Sequence, residues 1–184
     1  MIPTLVLLTL LRGVQMTPLE LMSHRNVKVT TENSECSGII LSTGVVLTAF
    51  HALETDSTVK VNGKEAEIVV TRPDIDLIIL HVETEEVPDI TFGTGVGIAT
   101  QVVAIGNPAD TVGLVSLGRV VYIKDGRIYT DTLAMHGFSG GGLYTPDGVL
   151  IGMIQGIVGN EKNGSWIVVS LGAKEIVEAL RAKK

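Results

Sequence analysis

Short β-rich runs bounded by turn residues fill most of this 184-residue chain. Six lie in the first half, at 27–31, 37–42, 45–49, 58–61, 65–71 and 77–82, and six in the second, at 101–106, 113–123, 127–131, 142–145, 149–157 and 165–169. Asn62-Gly63, Asp125-Gly126 and Asp147-Gly148 are typical of tight hairpin turns. Because no long helical pattern separates the runs, they predict an all-β fold of two six-stranded antiparallel barrels.

Two helices are predicted at the ends of the barrels. The capping box Thr17-Pro18-Leu19-Glu20 predicts a short helix to about His24. An amphipathic pattern predicts a C-terminal helix from about Ala173 to Arg181. We therefore expect a single domain across residues 1–184. Its parts are an N-terminal segment and helix (1–25), a first barrel (26–95), a second barrel (96–170) and a C-terminal helix (171–184).

A serine lies inside a run of glycines, Gly137-Phe138-Ser139-Gly140-Gly141-Gly142. Glycine costs backbone entropy, so a cluster of glycines needs a structural reason. One reason is a tight turn that presents the hydroxyl and directs the N–H groups of Gly137 and Ser139 toward a single point, where they would stabilise an oxyanion. The other is an ordinary glycine-rich hairpin turn.

A serine nucleophile needs a neighbouring base that is itself oriented by a third group. His51 follows the apolar run 44–50, and Asp74 and Asp76 precede a second apolar run at 77–80. With Asp76, the order is His, Asp, Ser with gaps of 25 (76 − 51) and 63 (139 − 76) residues. This is one of the known chain orders of catalytic triads.

Five motifs occur in the order found in the chymotrypsin-fold serine proteases and, within them, in protease domains of the HtrA type. The chain resembles this family from about Leu21 to Leu180. The motifs are Thr48-Ala49-Phe50-His51, the aspartate stretch 73–82, the stretch 103–108, Thr130-Asp131 followed by 137–141, and the closing stretch 166–170.

The resemblance implies a triad of His51, Asp76 and Ser139, with an oxyanion hole formed by the amides of Gly137 and Ser139. Asp74 remains an alternative third member, because two residues apart on an extended strand face the same side. The spacing Pro-x-x-Asp and the apolar run that starts directly after Asp76 favour Asp76. Phe138 stands where digestive members carry an aspartate, so activation by an ion pair at that position is not expected.

The resemblance also assigns a substrate site to Leu133, His136, Gln155, Gly156 and Ile157. Leu133 occupies the position at which trypsin-like enzymes carry an acid, so we expect an uncharged aliphatic side chain before the cleaved bond. The stretch 155–157 would pair with substrate as an added β-strand. His136 is either a substrate contact or an exposed loop residue.

Composition excludes several other function classes. The net charge of −6 gives no electrostatic support for nucleic-acid binding. Cys36 is the only cysteine, so no intrachain disulfide can form. Neither Cys-x-x-Cys nor His-Glu-x-x-His occurs, and we expect no metal and no cofactor.

The N-terminal stretch from Ile2 to Leu11 is apolar but about half as long as a membrane span requires. It is interpreted either as a segment that packs on the barrel or on a neighbouring subunit in an oligomer, or as a weak export signal. We favour a cytoplasmic protein without a stable membrane span over an exported one.

The sequence thus predicts a serine endopeptidase that binds polypeptides as an extended strand and cleaves after small or aliphatic residues. Nothing that resembles a PDZ domain follows Lys184, so substrate capture through such a module is not expected. The rival is a catalytically silent peptide-binding module of the same fold.

Overall fold

The structure, a computed structural model, describes residues 16–53, 58–109, 111–160 and 165–182. The predictions for the apolar segment 2–11 lie outside the described residues. Within them, the prediction of two closed six-stranded antiparallel barrels with two flanking helices is confirmed.

The first barrel closes in the strand order β1-β2-β3-β6-β5-β4. Gly38 lets β1, β2 and β3 pack closely, because a Cβ at this position would lie 2.8 Å from a methyl group of Val29 and 2.9 Å from one of Val46. The strands are β1 (Asn26–Thr30), β2 (Glu35–Ser42), β3 (Val45–Thr48), β4 (Val59–Val61), β5 (Lys64–Arg72) and β6 (Leu77–His81).

The second barrel closes in the order β10-β11-β12-β9-β8-β7. In β11 the register shifts between Ile154 and Gly156, and a β-bulge of this kind re-aims the side chains beside it. The strands are β7 (Gln101–Gly106), β8 (Leu114–Lys124), β9 (Arg127–Thr130), β10 (Gly142–Tyr144), β11 (Leu150–Asn160) and β12 (Ser165–Gly172).

The two helices cover the ends of the barrels. Helix α1 (Pro18–Arg25) begins with the predicted capping box, in which the Thr17 hydroxyl accepts from the N–H of Glu20 and the Glu20 carboxylate accepts from the N–H of Thr17. Helix α2 (Ala173–Arg181) buries Ile176 and packs against β11 and β12.

A buried apolar cluster joins the two barrels. It draws Leu47 and Ile79 from the first barrel and Ile105 and Met153 from the second, all with less than 5% of their surface exposed. Two further clusters fill the barrel interiors. At about 25 cal/mol per Å² of buried apolar surface, packing of this kind is the main force that holds the barrels together. The loops at this seam are therefore held in a fixed relative position.

Two short turns differ from the expected extended backbone. Phe50–Ala52 and Pro73–Ile75 form single 3₁₀ turns, and Asp76 adopts a left-handed conformation with φ of 60°. Asp74 and Asp76 therefore do not share one extended strand, because Pro73 starts a turn and β6 begins only at Leu77. The second barrel also ends later than residue 170, since β12 continues to Gly172.

Candidate active site

His51 lies on the 3₁₀ turn that follows β3, at the seam between the barrels. The backbone N–H of His51 donates to Oδ1 of Asp76 over 2.8 Å, and its ring Nδ1 lies 2.8 Å from Oδ2 of the same carboxylate. Two hydrogen bonds from one residue to both oxygens of the other fix the ring plane. The opposite nitrogen, Nε2, lies 3.0 Å from the Ser139 hydroxyl.

Asp76 reaches His51 because of its backbone conformation. It caps the turn Pro73–Ile75, and the left-handed φ of 60° turns the chain into β6. Non-glycine residues adopt this conformation rarely, and aspartate is among those that tolerate it best. Asp74 instead pairs with Arg72 at 2.9 and 2.7 Å, and these bonds hold the pKa of the Asp74 carboxyl below its usual value. The structure thus brings Asp76, and not Asp74, to His51.

Ser139 is presented by a loop whose shape depends on glycine. Gly137 and Gly140 have φ of 94° and 84°, a region that side chains disfavour. At Gly140 a Cβ would also collide with the backbone oxygen of Ser37. Phe138 is buried, with 1% of its surface exposed. Its ring packs against Gly106 so closely that a Cβ on Gly106 would lie only 2.6 Å from the ring. Phe138 therefore anchors the loop by burial.

The N–H groups of Gly137 and Ser139 donate to no other protein group within the described part of the chain. The carbonyl of the same Gly137 is held, because the Ser37 hydroxyl donates to it over 2.6 Å and accepts from the N–H of Asn107 over 2.8 Å. The N–H of Ser37 donates to the Ser139 carbonyl over 2.8 Å. Ser37 therefore fastens the nucleophile loop to the first barrel while leaving two amides available.

The electrostatics of His51 suit a general base. Its hydrogen bond to Asp76 raises the pKa of the imidazole above the ordinary value; burial of the ring opposes this shift, and the nearby negative charge adds to it. The side chain of His51 is 49% exposed and that of Asp76 22% exposed, so solvent reaches the base more readily than the carboxylate. A neutral His51 with a proton on Nδ1 leaves Nε2 free to accept the serine proton.

A cavity of about 240 Å³ lies between the segment 131–134, which precedes the nucleophile loop in the chain, and residues of β11 and β12. Leu133 and Ile157 both line it and are 73% and 46% exposed. Trp166 also lines the cavity, whereas the sequence placed it only in a closing motif. Asp131 contributes a carboxylate whose Oδ1 accepts from the N–H of Arg119 over 2.6 Å. His136 is exposed and is not among the residues that line this cavity.

Gln155 lies at the bulge of β11, and its carbonyl accepts a 3.3 Å hydrogen bond from the Ser139 hydroxyl. Its side chain is not directed to the cavity, because Nε2 lies 3.3 Å from Oδ2 of Asp76. Gly156 has open space on its Cβ side. The neighbouring strand β10 pairs with β11 only as far as Met153, so residues 155–157 have one edge without a strand partner among the described residues.

Sequence reasoning missed three residues at this site. Ser37 lies near the start of β2, Arg127 follows a hairpin turn and Trp166 lies in the closing motif. None of these stretches has a sequence pattern that indicates catalysis or binding. Only the barrel fold brings Ser37 to the nucleophile loop, Arg127 to Gln155 and Trp166 to the cavity. In the described residues, no group of three or more His, Cys, Asp or Glu side chains could hold a metal ion. No helix within the described ranges is long and apolar enough to cross a membrane.

Comparisons with known proteins agree with this architecture. Residues 36–153 match the family model of the trypsin-like peptidase domain, and the chain belongs to this family. A Chlamydia trachomatis protein described as a probable periplasmic serine endoprotease, DegP-like, is 31% identical over 185 residues, which cover 87% of this chain and 37% of that protein. The rat protein serine protease HTR4 is 32% identical over 142 residues, which cover 66% of this chain and 29% of the rat protein.

The fold is also found among solved structures. Rv3671c of Mycobacterium tuberculosis, in an inactive form, superposes with a TM-score of 0.79 at 21% identity over 90% of this chain and 89% of that chain. The resemblance to HtrA-type protease domains is thereby confirmed, and the fold is the chymotrypsin-like one. The chain spans 37% of the length of the chlamydial relative, less than half of it.

Proposed function

We propose that this chain is a serine endopeptidase of the HtrA type whose triad is His51, Asp76 and Ser139. The observation that carries the proposal is an unbroken series of hydrogen bonds, at 3.0 Å from Ser139 to His51 and 2.8 Å from His51 to Asp76. These distances are within reach of proton transfer. One apolar cluster built from both barrels supports a single protease unit rather than two separable domains.

In this mechanism Nε2 of His51 accepts the Ser139 proton while the serine oxygen attacks the substrate carbonyl carbon. The resulting imidazolium donates that proton to the leaving amine as the peptide bond breaks, which leaves an acyl-enzyme. A water molecule then repeats the sequence and releases the new carboxyl end. Asp76 keeps the proton of the neutral imidazole on Nδ1 and stabilises the imidazolium when it forms.

The amides of Gly137 and Ser139 would stabilise the tetrahedral oxyanion. Both lack a protein acceptor among the described residues, so neither has to break a bond before it can donate. Removal of one such donor typically costs about 10²–10³-fold in turnover. The bond from Ser37 to the Gly137 carbonyl supports this role because it restrains the peptide plane next to the Gly137 amide.

Substrate would bind as an extended strand along residues 155–157 of β11, at the edge that β10 leaves free. The side chain before the cleaved bond would enter the 240 Å³ cavity between Leu133, Ile157 and Trp166. Apolar walls favour small and medium aliphatic side chains. Asp131 lies at the same cavity, but its Oδ1 is already hydrogen-bonded to a backbone N–H.

The activity is tested with Ser139→Ala on an unfolded protein substrate. We expect cleavage to be abolished while the far-UV circular dichroism spectrum is unchanged. Ser23→Ala, on helix α1, changes a serine outside the three motifs of the triad; it is the matched control and should retain full activity. Turnover of Ser139→Ala within a few-fold of the parent would rule out Ser139 as the nucleophile. A parent that folds, binds peptide and cleaves nothing would instead be a binding module.

The specificity is tested by mapping cleavage sites in a denatured protein mixture by mass spectrometry. We expect most cuts after Val, Ala, Ile or Leu. Cuts mainly after Arg or Lys that disappear in Asp131→Asn would assign the selectivity to that carboxylate and contradict the aliphatic preference. Cuts mainly after Glu would contradict it as well.

A further inference from the structure

Gln155 makes contacts that substrate binding does not require. Its side chain is 9% exposed at the bulge of β11, where the register shift turns it toward the first barrel. Nε2 donates to the Ile75 carbonyl over 2.9 Å and to Oδ2 of Asp76 over 3.3 Å. One amide group of the second barrel therefore contacts both the turn that carries Asp76 and the carboxylate itself.

Arg127 fixes which way this amide faces. It lies on β9, which is separated from β11 by β12, and its Nη1 donates to Oε1 of Gln155 over 2.7 Å. A guanidinium group only donates and the Ile75 carbonyl only accepts. Oε1 must therefore face Arg127, and the NH₂ group must face Asp76. In the reverse orientation the NH₂ group would face the guanidinium of Arg127, donor against donor. Oε1 would face the Ile75 carbonyl and the Asp76 carboxylate, acceptor against acceptor.

We propose that Gln155 is a positioning residue for the triad, held in orientation by Arg127, and that it keeps Oδ2 of Asp76 aligned with Nδ1 of His51. This proposal rests on the proposed function. Asp76 needs such support because it follows a single 3₁₀ turn and occupies a left-handed conformation. Without the Gln155 amide, the only side chain recorded in contact with Oδ2 within the described residues is His51, whose ring the carboxylate has to orient.

The amide also affects the charge balance of the triad. A donor to Asp76 withdraws negative charge from the carboxylate and so lowers the proton affinity of His51. Among the described residues, the charged groups in contact with Gln155 or Asp76 are His51 on the turn after β3 and Arg127 on β9. On the loop of Asp76, Asp74 and Arg72 are paired with each other. When the Gln155 donor is lost, the His51 backbone N–H still holds Oδ1, so the carboxylate stays beside the imidazole. Its fuller negative charge should then raise the pKa of His51.

The experiment measures kcat, KM and the pH profile of kcat/KM on one peptide for Gln155→Leu, Gln155→Glu and Arg127→Met. We expect Gln155→Leu to lower kcat about tenfold, as for loss of one hydrogen bond to a charged group, with KM within about twofold of the parent. The acid limb should move to higher pH, and further in Gln155→Glu, which adds a negative charge beside Asp76. A folding defect alone would lower the maximum of kcat/KM without moving the acid limb of its pH profile.

Arg127 should act only through Gln155. Arg127→Met should lower kcat in the parent and have little further effect in the Gln155→Leu background, and Arg127→Lys should restore part of the loss because a donor remains. Arg119→Met is the matched control, since its guanidinium donates to the Ala99 carbonyl and, among the described residues, to neither Gln155 nor the triad. Melting curves identify any variant that fails to fold. If the Gln155 variants do not fold, Arg127→Met and Arg127→Lys still test the proposal.

The positioning role would be overturned if Gln155→Leu and Arg127→Met had kcat within twofold of Arg119→Met and the same acid limb of kcat/KM. The proposed peptidase activity would be left intact by that result. Additive losses in the double variant would overturn the link between Arg127 and Gln155. A folded parent with no turnover and no labelling of Ser139 would instead overturn the proposed function, and the positioning role with it. These results are distinguishable because the parent is measured first.

Discussion

Asp76→Asn should inactivate the protein by reversing the tautomer of His51. In the parent, Oδ1 accepts from the His51 backbone N–H and Oδ2 faces Nδ1, both at 2.8 Å. An asparagine has to place its NH₂ group at one of these positions. A donor faces each position, the His51 backbone N–H at 2.8 Å from Oδ1 and the Gln155 amide at 3.3 Å from Oδ2. The shorter bond is the stronger one, so the amide nitrogen should take the position of Oδ2. His51 then has to accept at Nδ1 and carry its proton on Nε2.

The cost follows from where that proton lies. Nε2 is 3.0 Å from the Ser139 hydroxyl, and a protonated Nε2 cannot accept the serine proton. In triads of this type the same substitution costs about 10⁴-fold in turnover, or about 5.5 kcal/mol at 1.36 kcal/mol per factor of ten. We expect a loss of that order in kcat near neutral pH.

Asp74→Asn is the matched control, since it removes a carboxylate two residues away that pairs with Arg72 and does not contact His51. We expect at most a few-fold effect on turnover. Both variants are assayed on one peptide near pH 7, with circular dichroism to confirm folding. A larger loss in Asp74→Asn would reverse the assignment. If Asp76→Asn retained parental turnover, the orienting group would lie elsewhere.

Three further predictions concern the base and the nucleophile loop. Because Asp76 raises the pKa of His51, kcat/KM should fall with decreasing pH through an apparent pKa above about 6.5; a limb well below that value would contradict the neutral-base role. Gly137→Ala should cost about 10²–10³-fold in kcat, because φ of 94° and a Cβ only 2.7 Å from the Pro108 Cα would displace the oxyanion amide; unchanged kcat in the folded variant would refute this. Ser37→Ala should lower kcat about tenfold and destabilise the fold by about 1–3 kcal/mol, since the Asn107 N–H loses its buried acceptor; chemical denaturation and peptide turnover would measure both, and unchanged stability would contradict the argument.

The fold was largely predictable because strand and turn signals agree along the chain. In the second barrel, the expected run 101–106 is the strand Gln101–Gly106. The C-terminal helix Ala173–Arg181 has the predicted limits. These elements carry local information: apolar alternation, hairpin glycines and a helical period. Where the local signal is weak the limits shift, as in β12, which barrel pairing with β9 and β11 extends to Gly172.

The site was predictable only where chemistry marks the residue. His51, Asp76 and Ser139 stand in motifs, so the sequence could propose them together. The turn Pro73–Ile75 lies between the predicted runs 65–71 and 77–82, and its form could not be predicted because a single 3₁₀ turn has no period of its own. Gln155 was assigned to substrate by position alone. Its contact with Asp76 depends on a bulge and on residues about 80 positions away in the chain.

The central claim is that His51 activates Ser139, and labelling with a fluorophosphonate probe tests it most directly. The probe captures a serine only when its oxygen is activated for attack. We expect stoichiometric phosphonylation, located by mass spectrometry on Ser139 alone, which is slowed strongly in His51→Ala and absent in Ser139→Ala. A folded parent that remains unlabelled, or one labelled equally fast in His51→Ala, would contradict the account.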